Sequence, residues 1–320
     1  QAISLIMKID SNGNLILGAT VILITTLLLI AIFVFTTINY IDNENIDSQE
    51  NDNFKYIVDD YSNNIEVLGR QSLYDACEKV YHTMKLLDSE DQVKKNMEKK
   101  LTAKNEEFAE KYNAKISSEV LSVESTDSPW KVLFKVKLHI KKDNNQFSKI
   151  IERNVPIEGL KDPLPPAKLT VASGIFVQGD KINYKNALSR YLKIRNLKSP
   201  FSYLFATTPL YIKKCPYDPY IHHGDPGVLK DCLKKGYFHE SADGSCYMCR
   251  LEGKGTCPHY GMEVFIQPHT PLTNESVSCS DHVIFHDHYN GEKMNKLDID
   301  SLILDSSHRK KYGLYEDDGQ

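Results

Sequence analysis

The chain has 320 residues, of which 26% are charged and 41% hydrophobic, with a formal net charge of −4. The length suits about two domains beyond a terminal segment. The slightly acidic balance lacks the basic footprint of a nucleic-acid binder, so no nucleic-acid partner is expected.

Residues 15–38, LILGATVILITTLLLIAIFVFTTI, run for 24 positions without a charge, a histidine or a proline. As a helix this run is about 36 Å long, enough to cross about 30 Å of hydrocarbon. A cleaved secretory signal is disfavoured, because the run is too long and no small-residue cleavage site follows. Lys8 precedes it, and Ile41 to Asn53 follow without a Lys or Arg. The positive-inside rule then leaves the N-terminus in the cytoplasm and the remainder outside. The uncharged span extends from Ser11 to Ile41, 31 residues. At about 46 Å it exceeds a bilayer, which favours packing among copies of itself over a plain anchor.

The opening Gln1-Ala2-Ile3-Ser4-Leu5-Ile6-Met7, leading into a long apolar helix, resembles a mature archaeal type IV pilin. Leu5 stands where many pilins carry an acidic residue, and Lys8 to Asn14 interrupt the apolar run. The resemblance implies that Gln1 is the end left by a prepilin peptidase. It implies a filament core built from Leu15, Leu17, Val21, Leu23, Leu27, Leu28, Ile30, Ile32, Phe33 and Phe35. It also implies self-association into a cell-surface filament, a stay in the membrane before assembly, and an ATP-driven assembly machine. The alternatives are a membrane-anchored binding or adhesin protein and an anchored metal-binding protein.

Residues 1–53 are thus read as the apolar helix and an acidic stalk, and 54–158 as a first outer domain. Phe54, Ile57, Tyr61, Ile65, Leu68, Ala76 and Val80 recur at helical steps. Asp88 and Ser89 supply a stop and a new cap, and Val93, Met97, Leu101, Phe108 and Tyr112 mark a second helix. Its lysines are read as a solvated face. A strand is expected at 116–124. Trp130, Val132, Phe134, Val136, Leu138 and Ile140 then alternate with polar residues as a half-buried strand, and Asp143 to Asn145 turn into a partner strand at 146–157. Cys77, on the apolar helical face, is read as a buried small hydrophobe.

The proline-rich segment 159–169 is read as a linker to a second domain, 170–320. A strand is expected at 170–178 and a helix at 184–197. Six of the seven cysteines, Cys215, Cys232, Cys246, Cys249, Cys257 and Cys279, fall in this part. Placed outside the membrane, they are expected to form disulfides that staple a loop-rich region. The competing chemistry is a metal site: Cys246-x-x-Cys249 with Cys257-x-His259 has zinc-like spacing, and His282, His286 and His288 form a second group. Asn274 heads a glycosylation sequon.

No nucleophile elbow, H-E-x-x-H, P-loop or dinucleotide fingerprint occurs, so neither an enzyme nor a cofactor is expected. The expected fold class is α+β: a long N-terminal hydrophobic helix, helices on a small antiparallel sheet, and a disulfide-stapled, β-containing second domain.

Overall fold

A computed structural model of the chain describes residues 11–83, 85–169, 175–194, 203–268, 279–285 and 310–313. Helix α1 is 73 residues long, Ser11–Thr83, and continues through the acidic run that the sequence reading assigns to a stalk. The chain forms two compact units, Gln1–Asp59 and Asp60–Gln320.

In the first unit, Leu23, Ile24, Leu27, Leu28, Leu29 and Ile30 are between 57% and 65% exposed. They occupy every side of the helix, since four consecutive residues span a full turn. The expected membrane-crossing helix is corrected here: among the described residues, no helix is long and apolar enough to span a bilayer. Leu15, Leu17, Val21, Ile32, Phe33 and Phe35 belong to α1, but their side chains lie outside the described residues, as does Gln1.

The second unit is α+β with small antiparallel sheets. Helix α2 is Ser89–Tyr112, and Asp88 caps it by accepting from the Asp91 N–H at 3.2 Å. Asn113 closes it in the left-handed conformation. Strands β1 (Lys115–Ser125), β2 (Lys131–Lys142) and β3 (Asn145–Pro156) form one sheet in the order β1-β2-β3. Lys142 pairs with Asn145, so Asp143 and Asn144 form a two-residue hairpin. Val132, Phe134, Val136, Leu138 and Ile140 are all buried, as their alternation predicts.

The inner face of this sheet meets α1 and α2. Tyr61 and Phe108 stack edge-on with centroids 5.2 Å apart, and the Tyr61 hydroxyl donates to Asn105 at 2.6 Å. Gly69 lets α1 approach closely: a Cβ there would lie 2.8 Å from Val155 Cγ2. Arg70 secures the far end of the sheet by donating to the carbonyls of Pro156 and Glu158, each at 2.6 Å.

The proline-rich segment holds a short helix, α3 (Leu164–Lys168), in which Leu164, Pro165, Pro166 and Ala167 are buried. Beyond it come β4 (Phe176–Gln178), β5 (Lys181–Asn183), α4 (Ala187–Ile194) and β6 (Thr207–Pro209), with sheet order β4-β5-β6. Part of the strand expected at 170–178 lies outside the described residues. A 3-10 helix, Tyr220–Gly224, leads to α5 (Pro226–Lys235), β7 (Phe238–Ser241) and α6 (Tyr247–Leu251). Strands β8 (Gly261–Ile266) and β9 (Cys279–Ser280) complete a sheet ordered β7-β8-β9, followed by α7 (Asp281–Ile284).

A fully buried Arg250 on α6 joins three of these pieces. It donates to both Asp162 oxygens at 2.8 and 2.6 Å and to Asp281 Oδ2 at 2.6 Å. Asp281 Oδ1 in turn accepts from the Val264 N–H at 3.1 Å. This charged triad holds the segment before α3, helix α6 and helix α7 at one point.

Candidate metal centres

The expected disulfides are not found among the described residues. Among the described residues, Cys77, Cys215, Cys232, Cys246, Cys249 and Cys257 are all free thiols. The side chain of Cys279 lies outside the described residues. Five of these thiols converge with three histidines in two groups: Cys215, His223, Cys232 and His239, and Cys246, Cys249, Cys257 and His259. In each group the four donor atoms lie within 4.8 Å of one another.

The first group draws on four kinds of backbone. The Cys215 N–H donates to Phe238 O at 2.9 Å, which places Cys215 beside β7. His223 comes from the 3-10 helix. Asp225 caps α5 by accepting from the N–H groups of Gly227 and Val228, and Cys232 lies on the buried face of that helix. Gly236, at φ +66°, turns the chain out of α5 and into β7, where His239 points back toward Cys232.

Three distances inside the group lie close to the edges of a small tetrahedron. Cys215 Sγ is 3.6 Å from His223 Nε2, and Cys232 Sγ is 3.3 Å from His239 Nε2. The two Nε2 atoms are 3.1 Å apart. Zinc bonds of about 2.0 Å to nitrogen and 2.3 Å to sulfur give edges of about 3.3 to 3.8 Å. His223 Nδ1 lies 2.8 Å from the carbonyl of Tyr220 and must donate to it, so Nε2 is left with its lone pair facing the group. Burial holds His239 below the usual imidazole pKa and keeps it neutral, the form that binds metal.

All four residues of this group are at most 1% exposed. Aromatic rings close over them: Tyr220 lies 5.0 Å from His239, and Tyr312 lies 5.3 Å from His223 and 5.1 Å from His239. Tyr312 is itself anchored, because its hydroxyl donates to the buried Glu263, which also accepts from Lys311 at 2.5 Å.

The second group is built around α6. Cys246 occupies the N-cap position and Cys249 follows one turn later. Cys257 accepts from the Cys246 N–H at 3.3 Å. His259 Nδ1 sits 3.5 Å from both Cys246 Sγ and Cys249 Sγ. Ser125, at the end of β1, brings its hydroxyl to 3.0 Å from Cys246 Sγ, so the three-stranded sheet supplies an outer-shell contact. Cys257 is half-buried and His259 is exposed.

The thiols compete for negative charge within each group. Donation from Cys232 holds Cys215 well below the usual thiol range, and the same contact pushes Cys232 up. Donation from Cys246 and then from Cys249 holds Cys257 well below the usual thiol range, while contact with Cys246 and then Cys257 pushes Cys249 up. A divalent cation removes this competition, since coordination deprotonates every ligating thiol. Donor spacing of this kind fits one metal ion per group.

The sequence reading thus finds the donor set of the second centre as its minority alternative and misses the first. Of the other proposed set, His282 lies 3.0 Å from Glu263, while His286 and His288 fall outside the described residues, as does Asn274. Comparison with protein-family models, curated proteins and solved structures finds no match to this chain.

Proposed function

We propose that this chain is a structural and binding protein, not an enzyme, whose Cys-rich part is organised by two bound zinc-type ions. One observation carries the reading: eight Cys and His residues form two sets of four donors, and within each set the donor atoms lie within 4.8 Å of one another. Four protein ligands satisfy zinc completely and leave no open position for a substrate, which is the mark of a structural site. Mixed sulfur and imidazole donors suit zinc better than the hard cations, which prefer oxygen. Metal analysis of the full chain, purified without chelator, tests this. Two equivalents of zinc and a full count of alkylatable thiols without reductant are expected. A metal-free protein whose cysteines react only after reduction overturns it.

A second reading rests on a different observation. The apolar side chains from Leu23 to Ile30 are exposed around the whole helix. A helix that is apolar on every side is covered by other apolar elements. Copies of the same helix are the economical cover, in keeping with the pilin resemblance of the N-terminal sequence. In this reading the protein is a cell-surface filament subunit that uses a prepilin peptidase and an assembly ATPase, and the zinc-organised unit is what the filament displays. Electron microscopy of material sheared from the source cells tests it, with fibres containing this chain as the expected result. Replacement of Leu27 and Leu28 by Arg should abolish those fibres, and fibres that persist overturn the reading.

A further inference from the structure

The two groups differ in charge and in access to solvent. Two thiolates and two neutral imidazoles around a divalent ion sum to zero, which suits the complete burial of the first group. Three thiolates and one imidazole leave the second group with one negative charge, and it is the one that reaches the surface. Its Cys257 is half-buried and its His259 exposed, with exposed Pro258 and Tyr260 on either side of His259. The first group has no such edge, because Tyr220 and Tyr312 stack against both of its imidazoles.

Ligand exchange at a four-coordinate metal needs a ligand that can swing away and room for an incoming one. His259 supplies the first and the open Cys257–His259 edge supplies the second. The donor sets also differ in softness. Three thiolates favour thiophilic ions more than two thiolates with two imidazoles do.

Resting on the metal reading above, we propose that the second centre is an exchange site for thiophilic divalent ions of the zinc and cadmium class, while the first centre keeps its ion. The exchange is a substitution without redox chemistry. An incoming Cd2+ takes the same three thiolates and imidazole, Zn2+ leaves as the aquo ion, and the charge is unchanged.

The test uses the full chain loaded with two zinc ions. One equivalent of Cd2+ is added, and the bound metals are followed by native mass spectrometry and by thiolate-to-cadmium absorption. The expected result is replacement of one zinc only, with absorption corresponding to three Cd–S bonds per exchanged ion. Extraction by a chromogenic chelator should be biphasic with equal amplitudes. His259→Ala should speed the fast phase by at least about 10-fold, since loss of even an outer-shell partner weakens binding that much, and leave the slow phase unchanged. Single-phase release of both ions, or an exchanged ion with a two-thiolate signal, overturns the proposal. The cadmium signal on the unmodified chain decides the matter even where His259→Ala fails to fold. A chain that never holds two zinc ions sinks the metal reading itself, a different outcome from two ions that leave together.

Discussion

His223 and His239 bring their Nε2 atoms to 3.1 Å in a site that is closed to water. The Tyr220 carbonyl fixes one of them with its lone pair facing inward. A cation between the two rings is the arrangement that uses both lone pairs at once.

Cys232→Ser should therefore remove one of two metal equivalents and destabilise the Cys-rich part severely. Structural zinc contributes on the order of 10 kcal/mol of folding free energy in small domains. Cys77→Ala is the control: it deletes a buried thiol that belongs to neither group, so it should retain both ions at a cost of about 1 kcal/mol. Metal content and thermal melts of the two variants read the difference.

Arg250→Ala should cost about 3–5 kcal/mol, because Asp162 and Asp281 are then left buried without their counter-charge. Replacing all three residues with apolar side chains of similar volume should recover most of that loss. Urea unfolding measures both. A triple variant no more stable than Arg250→Ala would show that the charges do more than neutralise one another.

At Gly69, addition of a methyl group meets Val155 Cγ2 at 2.8 Å and Phe134 Cε2 at 3.2 Å. Gly69→Ala gains about 1 kcal/mol of helix propensity and loses more to overpacking, for a net loss of about 1–2 kcal/mol. Combined with Val155→Ala, it should cost less than the sum of the two single changes. Additive costs would place the strain elsewhere.

Asp60 joins α1 to the end of α2, accepting from Lys111 Nζ at 2.6 Å and the Tyr112 hydroxyl at 2.5 Å. Donation from Lys111, then from Tyr112, holds its pKa below the ordinary aspartate value. A lowered folded-state pKa gives stability that is complete above the unfolded value of about 3.9 and is lost as pH falls through the folded one. The pair is partly exposed, so Asp60→Asn should cost less than about 1 kcal/mol at neutral pH. That difference should close as pH falls below about 4, and guanidinium melts at several pH values follow it. A gap that persists in acid would assign the loss to packing.

The parts of the fold that were legible in the sequence are those set by local period. The alternation from Val132 to Ile140 specifies β2, and Asp88 with Ser89 marks the start of α2 within a residue. Cys246-x-x-Cys249 and Cys257-x-His259 sit on one short helix and the turn after it, so spacing alone is enough to suggest a metal. Cys215, His223, Cys232 and His239 share no such rhythm. They come from a strand-flanking segment, a 3-10 helix, an α-helix and a strand, and only the turn at Gly236 and the pairing of Cys215 with Phe238 unite them. The usable signal was that the cysteines of this region come with histidines at similar intervals, which disulfides do not require. An apolar run ahead of the cysteines points to an oxidising compartment and so masks that pairing. The apolar run carried the same bias, because its composition speaks to bilayer crossing and equally to burial among other helices.

The ligands are also ordered without interleaving: Cys215, His223, Cys232 and His239 all precede Cys246. A nascent chain therefore leaves the ribosome with the first set complete while the second is still being synthesised. Tyr312, one of the two rings that cover the first set, emerges much later. In the metal reading, the deep ion can board during translation, before its door exists, and is shut in only once Tyr312 folds over it.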